Sequence, residues 1–291
     1  MVRRLVAGFV FMCSLMMLFN IGFAADNNAE WYWIASDAKY SKFYAPDKVR
    51  VTRTFGNTAV QITAWTKTNY SFAGAKETLD NYGLKDIRPN DLAYSVAEVE
   101  VNPQNRTIAY VSETFFDKNG GKLWEKEYDP IRPKEINSQE FDEDYYCFIV
   151  DTVFGVGENE RRQASDRWLT TWQQVNSAKG LTYSMIDTTT MRLKDDNMIF
   201  WEWQEARDPS GKVTDISFMK KAVNIKEGTG KVIRILNWRP ETEWKDITTQ
   251  TDGMYHAIKP ESNDDKTLKM LRDYKDNHEA WVKRYSLDNN N

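Results

Sequence analysis

Alternating apolar and polar positions dominate the first half of the chain after its opening stretch. Trp31, Trp33 and Ile34 begin the pattern, residues 48–52 continue it, and residues 59–67 (AVQITAWTK) give the clearest period of two. β-Branched and aromatic side chains at that spacing predict half-buried strands. Residues 92–101 and 106–116 repeat the signal, separated by Asn102-Pro103-Gln104-Asn105. The run Asp117-Lys118-Asn119-Gly120-Gly121 then turns the chain into a strand around Leu123-Trp124. Gly and Asn tolerate positive φ, so such clusters predict hairpin turns. Between residues 73 and 91 the pattern breaks, and a short helix is expected over residues 75–82. The half closes with a predicted helix capped by Asn137, with Glu140 as the capping-box partner. Phe141, Tyr145, Phe148, Ile149, Thr152 and Val153 fall on its apolar face, and Gly155-Val156-Gly157 ends it.

The second half follows the same order. Residues 168–174 stand where the Trp31 segment stood, and residues 188–194 come next. Residues 198–203 (MIFWEW) parallel the strand holding Trp65. Val223-Asn224 leads into a turn as Val101-Asn102 does, residues 231–236 return, and Trp244 parallels Trp124. A closing helix from about Asn263 carries Leu268, Leu271, Tyr274, His278, Trp281, Val282 and Tyr285 on one stripe. Asp208-Pro209-Ser210-Gly211 replaces the longer 73–91 excursion. The order of elements points to duplication of one supersecondary unit; the alternative is the turn rhythm that any two β-meanders share.

The expected fold is therefore α+β: two related antiparallel β-meander units, each closed by a C-terminal helix packed on its sheet. The units span residues 25–157 and 168–291, joined by a charged, helical linker at residues 158–167. Trp65 is expected to match Trp201 or Trp203, Trp124 to match Trp244, and Phe141 to match Leu268, all facing inward.

Residues 1–24 read differently. Arg3 and Arg4 precede an apolar run from Leu5 to Ile21, and Gly22-Phe23-Ala24 offers small residues at the −3 and −1 positions. That order is a secretory signal peptide with cleavage after Ala24; an uncleaved anchor is the alternative. Cys13 follows Phe11-Met12 and so lacks the small residue that should precede a lipidated cysteine. Later segments contain no apolar run near the ~20 residues of a bilayer span. The expected product is periplasmic, on the cell surface or extracellular, with no transmembrane segment.

Without Arg3 and Arg4 the chain holds 37 basic and 43 acidic residues, a net of −6. With no basic stripe, nucleic acid is not an expected partner. Cys147 is the only cysteine beyond Cys13, so no internal disulfide is expected and the core must hold the fold.

Candidate chemistry fails on spacing. A Cys147 nucleophile with His256 or His278 lacks neighbours that lower a thiol pKa. Cys147 falls on a helix flank, and His278 in an apolar stripe. Glu202 and Glu205 are three apart on a strand and face opposite sides, so they cannot flank one glycosidic bond. Glu140, Asp142, Glu143 and Asp144 crowd a helix start, where the macrodipole favours acids; a surface calcium is the alternative reading. The Asp117 turn has Lys122 and Tyr128 where a calcium loop needs Gly and an acid. No catalytic, cofactor-binding or metal-binding residue is assigned, and no cofactor is expected.

The spread of Trp31, Asp37, Tyr44, Asp47, Trp65, Tyr110 and the helix from Asn137 resembles the surface-adhesin protein E-like domain of bacterial envelopes, loosely in each half. The chain as a whole, through residues 134–144 and 218–224, resembles exported bacterial proteins of unknown function. The adhesin resemblance implies surface contact with other proteins. The sequence expectation is a non-enzymatic envelope or secreted protein binding another macromolecule, protein or glycan. The alternatives are an envelope enzyme acting on glycans and a structural partner in envelope assembly. Eleven Trp, 14 Tyr and 14 Phe supply the material for a binding surface.

Overall fold

A computed structural model of the chain describes residues 29–138, 140–178 and 180–285. The leader expected over residues 1–24 lies outside them. Two eight-stranded antiparallel sheets make up the molecule. The first contains β1 (Tyr32–Ser36), β2 (Tyr40–Tyr44), β3 (Arg50–Phe55), β4 (Thr58–Tyr70), β5 (Tyr94–Asn102), β6 (Thr107–Phe116), β7 (Lys122–Glu127) and β8 (Lys134–Glu135). The second contains β9 (Trp168–Asn176), β10 (Gly180–Asp187), β11 (Arg192–Lys194), β12 (Asn197–Arg207), β13 (Val213–Asn224), β14 (Thr229–Arg239), β15 (Glu243–Asp246) and β16 (His256–Ala257).

The two sheets share one topology. The first runs β1-β2-β4-β5-β6-β7, with β3 on β4 and β8 on β6. The second runs β9-β10-β12-β13-β14-β15, with β11 on β12 and β16 on β14. Even the irregularities match. One bulge skips Ile34 opposite β2, and its counterpart skips Thr171 opposite β10. Another skips Val111 of β6 opposite Glu98 and Val99, and its counterpart skips Ile233 of β14 opposite Lys220 and Lys221. Bulges bend a strand and increase its twist, so both sheets bend at the same places.

Helices cover one face of each sheet. α1 (Phe72–Tyr82) and α2 (Glu143–Phe154) lie on the first, while α4 (Asn263–Asn277) lies on the second, followed by α5 (Glu279–Val282). Ile62, Ala64, Val99 and Ile108 pack with Tyr146 and Ile149 of α2. Met198, Phe200 and Val223 pack with Leu268 and Leu271 of α4. The second half has nothing in place of α1, and its residues answer to that. Where α1 covers Phe115 and Trp124, the second ladder places Asn237 and Lys245.

Several expectations need correction. α2 begins at Glu143 rather than beside Asn137, and its N-cap Asp142 makes no side-chain cap bond. Asn137 is instead buried in the approach to the helix. Phe141 stops at the surface beside Lys42, whereas Leu268 enters the core. Cys147 is fully buried and not on a half-open flank, because α2 is covered by its sheet and by the junction with the second half. Register does pair Trp65 with Trp201, since Trp65 opposes Glu98 and Trp201 opposes Lys220 at the matching bulge. Both, however, alternate with the core residues beside them and project from the face away from the helices. Trp124 and Trp244 are one position out of step, which sends them to opposite faces: Trp124 packs on Phe115 under α1, and Trp244 meets Trp203. His278 ends α4 exposed, its ring stacked on Tyr274 at 4.2 Å. Its helical spacing is broken by the turn between α4 and α5.

Candidate functional site

Where the halves meet, charged side chains are buried together. Arg106 sits in the turn after β5, Glu143 opens α2, and Glu158 opens α3 (Glu158–Gln163). Arg167 precedes β9, Asp187 ends β10, Arg192 starts β11, and Arg284 follows α5. Glu143 Oε1 accepts from Arg106 Nη2 at 2.9 Å and Arg167 Nη2 at 2.7 Å. Asp187 accepts from Arg167 Nε at 3.1 Å and Nη2 at 2.8 Å, and also from Ser138. Glu158 Oε1 accepts from Arg192 Nη2 at 2.9 Å, Arg284 Nε at 2.8 Å and the Tyr285 hydroxyl at 3.1 Å.

Four guanidiniums thus surround three carboxylates, and backbone oxygens take up the difference. The Thr189 carbonyl, in the 3-10 turn Thr188–Thr190, accepts from Arg106 Nη1 at 3.3 Å, Arg192 Nη1 at 3.0 Å and Arg284 Nη2 at 2.7 Å. Arg106 Nε donates to Ile136 O at 2.9 Å. Buried ions persist only when paired and hydrogen-bonded in this way.

The electrostatics follow from the packing. Burial alone would raise the Glu158 carboxyl, but Arg284, Arg192 and Arg106 outweigh it and hold the group down at about 2. Burial likewise opposes ionisation of Asp187, and Arg167 holds that carboxyl below its ordinary value. Burial and the neighbouring Arg192 pull the Arg284 guanidinium down to about 10. It still carries its charge at neutral pH. Burial, reinforced by the negative charge of Glu158, pushes the Cys147 thiol well up.

The network forms one wall of a cleft of about 440 Å³ between the halves. Trp201 forms part of another wall. Its Nε1 donates to Glu135 Oε1 at 3.3 Å, and Lys220 Nζ meets the same oxygen at 2.6 Å. The cleft is basic and aromatic.

Away from the helices, each sheet carries a row of aromatic rings across its strands. On the first, Trp33 opposes Phe43, Phe43 opposes Lys67, and Lys67 lies over Tyr94 at 4.5 Å. Tyr94 stacks on Phe116 at 5.0 Å. On the second, Trp201 stacks on Phe218 at 4.5 Å, Trp203 follows at 5.9 Å, and Trp244 meets Trp203 at 6.0 Å. Trp33 is 62% exposed and Trp244 49%.

The residues weighed in the sequence end up as follows. Cys147 is sealed in the core, while His256 is exposed and bonded to Asp252 at 2.7 Å. His278 caps α4, with Nδ1 3.2 Å from Tyr274 O. Glu202 faces α4, paired with Ser184 and with Lys221 at 2.6 Å; Glu205 is on the other face with Arg207. Asp117 closes a hairpin through Asn119 N and Gly121 N. Glu143 and Asp144 are counter-ions, Asp144 meeting Lys42 at 2.8 Å and Arg162 at 2.9 Å, so the macrodipole is not their main partner. Among the described residues no group of three or more His, Cys, Asp or Glu is placed to hold a metal.

The adhesin-like positions are scattered too. Asp37 caps the β1–β2 turn, Tyr44 meets Thr152, and Tyr110 donates to Asp142 at 2.9 Å. The junction is not legible in the sequence, where residues 158–167 read only as a charged, helical linker. No family model matches this sequence, and no curated protein is significantly similar to it.

Proposed function

We propose that the chain is an exported, non-enzymatic protein of the cell envelope or its surroundings that binds another macromolecule through its aromatic sheet faces. The observation that carries this reading is the pair of exposed rings, Trp33 and Trp244, at the ends of aromatic rows on two sheets of one topology. Large amphipathic rings on a rigid scaffold give contact area at low entropic cost, and such residues dominate interface energetics. Export rests on the Arg3-Arg4, apolar-run and Ala24 pattern. Among the described residues no helix is long and apolar enough to cross a membrane.

A pull-down from native envelope tests the binding, comparing the chain with a W33A/W244A variant. A macromolecule retained by the first and lost by the second supports it; identical partner lists sink it. Amino-terminal sequencing of the exported protein should begin at Ala25.

A further inference from the structure

The repeat extends to a cavity. In the first half a pocket of about 420 Å³ lies among β6, the β7–β8 loop, β8 and the N-cap of α2. In the second a pocket of about 470 Å³ lies among β14, the β15–β16 loop, β16 and the N-cap of α4. The ladder makes the correspondence residue by residue: Ile108 opposes Lys134, and Gly230 opposes His256, and all four line their pockets. The N-caps Asp142 and Ser262 line them as well.

Their deeper lysines are settled differently. In the first pocket Lys134 meets Glu140 at 2.6 Å and Asp142 at 3.7 Å, while Lys126 at its rim lies over the Tyr128 ring at 4.6 Å. In the second, the lining carboxylates are engaged elsewhere, Asp252 with His256 and Asp264 with Lys221, and neither Lys231 nor Lys259 makes an ion pair among the described residues. Lys231 rests over the Tyr255 ring at 4.7 Å. Lys221 lies deeper, between Glu202 and Asp264. Thr267 lines the same pocket, is 2% exposed, and its hydroxyl has no hydrogen-bond partner. A buried hydroxyl left unpaired costs free energy that a bound partner would recover.

We propose that the second pocket binds a small ligand through a carboxylate, held by Lys231 and Lys259 and reached by the Thr267 hydroxyl. The volume falls in the ~300–1,000 Å³ range of small-molecule sites. Val223, Val232 and Ile258 give the rest of the ligand an apolar wall. The carboxylate can come from a sugar acid or from an amino acid. The site is separate from the aromatic faces, so its failure leaves the macromolecule-binding proposal standing, and the reverse.

Isothermal titration of the exported protein with glucuronate, N-acetylalanine and neutral methyl glucoside tests it. Saturable binding of glucuronate or N-acetylalanine, without methyl glucoside, is expected, and the arm that binds identifies the source. A K231A/K259A variant should weaken that binding about tenfold or more, as loss of charge-assisted bonds does. T267V should weaken it several-fold without lowering Tm. Absence of binding by both carboxylates, equal binding of methyl glucoside, or T267V that raises Tm with affinity intact would each overturn the proposal.

Discussion

Arg106 and Gly228 hold the same position in the two halves. Each has left-handed backbone, at φ 51° and φ 68°. Each offers its carbonyl to the residue after the short strand: Ile136 N reaches Arg106 O at 2.8 Å, and Ile258 N reaches Gly228 O at 2.9 Å. Glycine takes that conformation freely, whereas a side chain there costs of order 1–3 kcal/mol. The first half accepts the cost because only a side chain at this turn reaches Glu143, Glu158 and Thr189 together. R106G should therefore relax the backbone and still destabilise the protein, by about 3 kcal/mol, since it strands buried carboxylates. Urea denaturation measures the difference.

Glu158 sets part of the acid limb of stability. Its folded carboxyl lies at about 2, below an ordinary value of 4.5. The unfolded chain therefore binds the proton first as pH falls, and the stability present above pH ~4.5 is lost on the way to pH ~2. The shift corresponds to about 3 kcal/mol. E158Q should be less stable at pH 7 and lose less between pH 5 and pH 2. Denaturation curves across that window check both.

Cys147 should be inert in the folded protein. Full burial and a thiol pushed well up leave no thiolate to react. Thiol reagents should label it only as the chain unfolds, and reductant should leave Tm unchanged. C147S should cost about 1–3 kcal/mol by burying a hydroxyl without an assured partner.

Tryptophans on the outer faces divide by burial. W201A should cost about 3–5 kcal/mol, because that ring is packed on Phe218 and closed over by the first half. W33A and W244A should each cost less than ~1 kcal/mol, as exposed substitutions do. Thermal melts of the three variants distinguish the structural ring from the two offered to a partner.

The strand order was legible because polar turns such as Asp117–Gly121 and Asp208–Gly211 separate alternating runs, and because the runs recur. Facing was not. The alternation of residues 59–67 fits either assignment of sides, and size alone favours Trp65 for the core; Ile62 and Ala64 take it, packed against α2. The step between Trp124 and Trp244 is a register difference, and no single-strand pattern carries that. Glu143, Glu158, Arg167, Asp187 and Arg284 were illegible for another reason. A charged residue in sequence reads as solvated, and only the meeting of segments from residue 106 to residue 284 makes each one a partner.

Three guanidiniums drawn from both copies of the fold converge on the Thr189 carbonyl. Cutting the chain at Gly157 would separate Arg106 from that oxygen and Arg167 from Glu143, leaving ions on each fragment that were buried against the other. Neither fragment retains the lattice of contacts that made desolvation tolerable. The halves are thus distinct in trace and coupled through their buried ions: they should melt in one cooperative step, and a mixture of the two fragments should regain order only by reassociating.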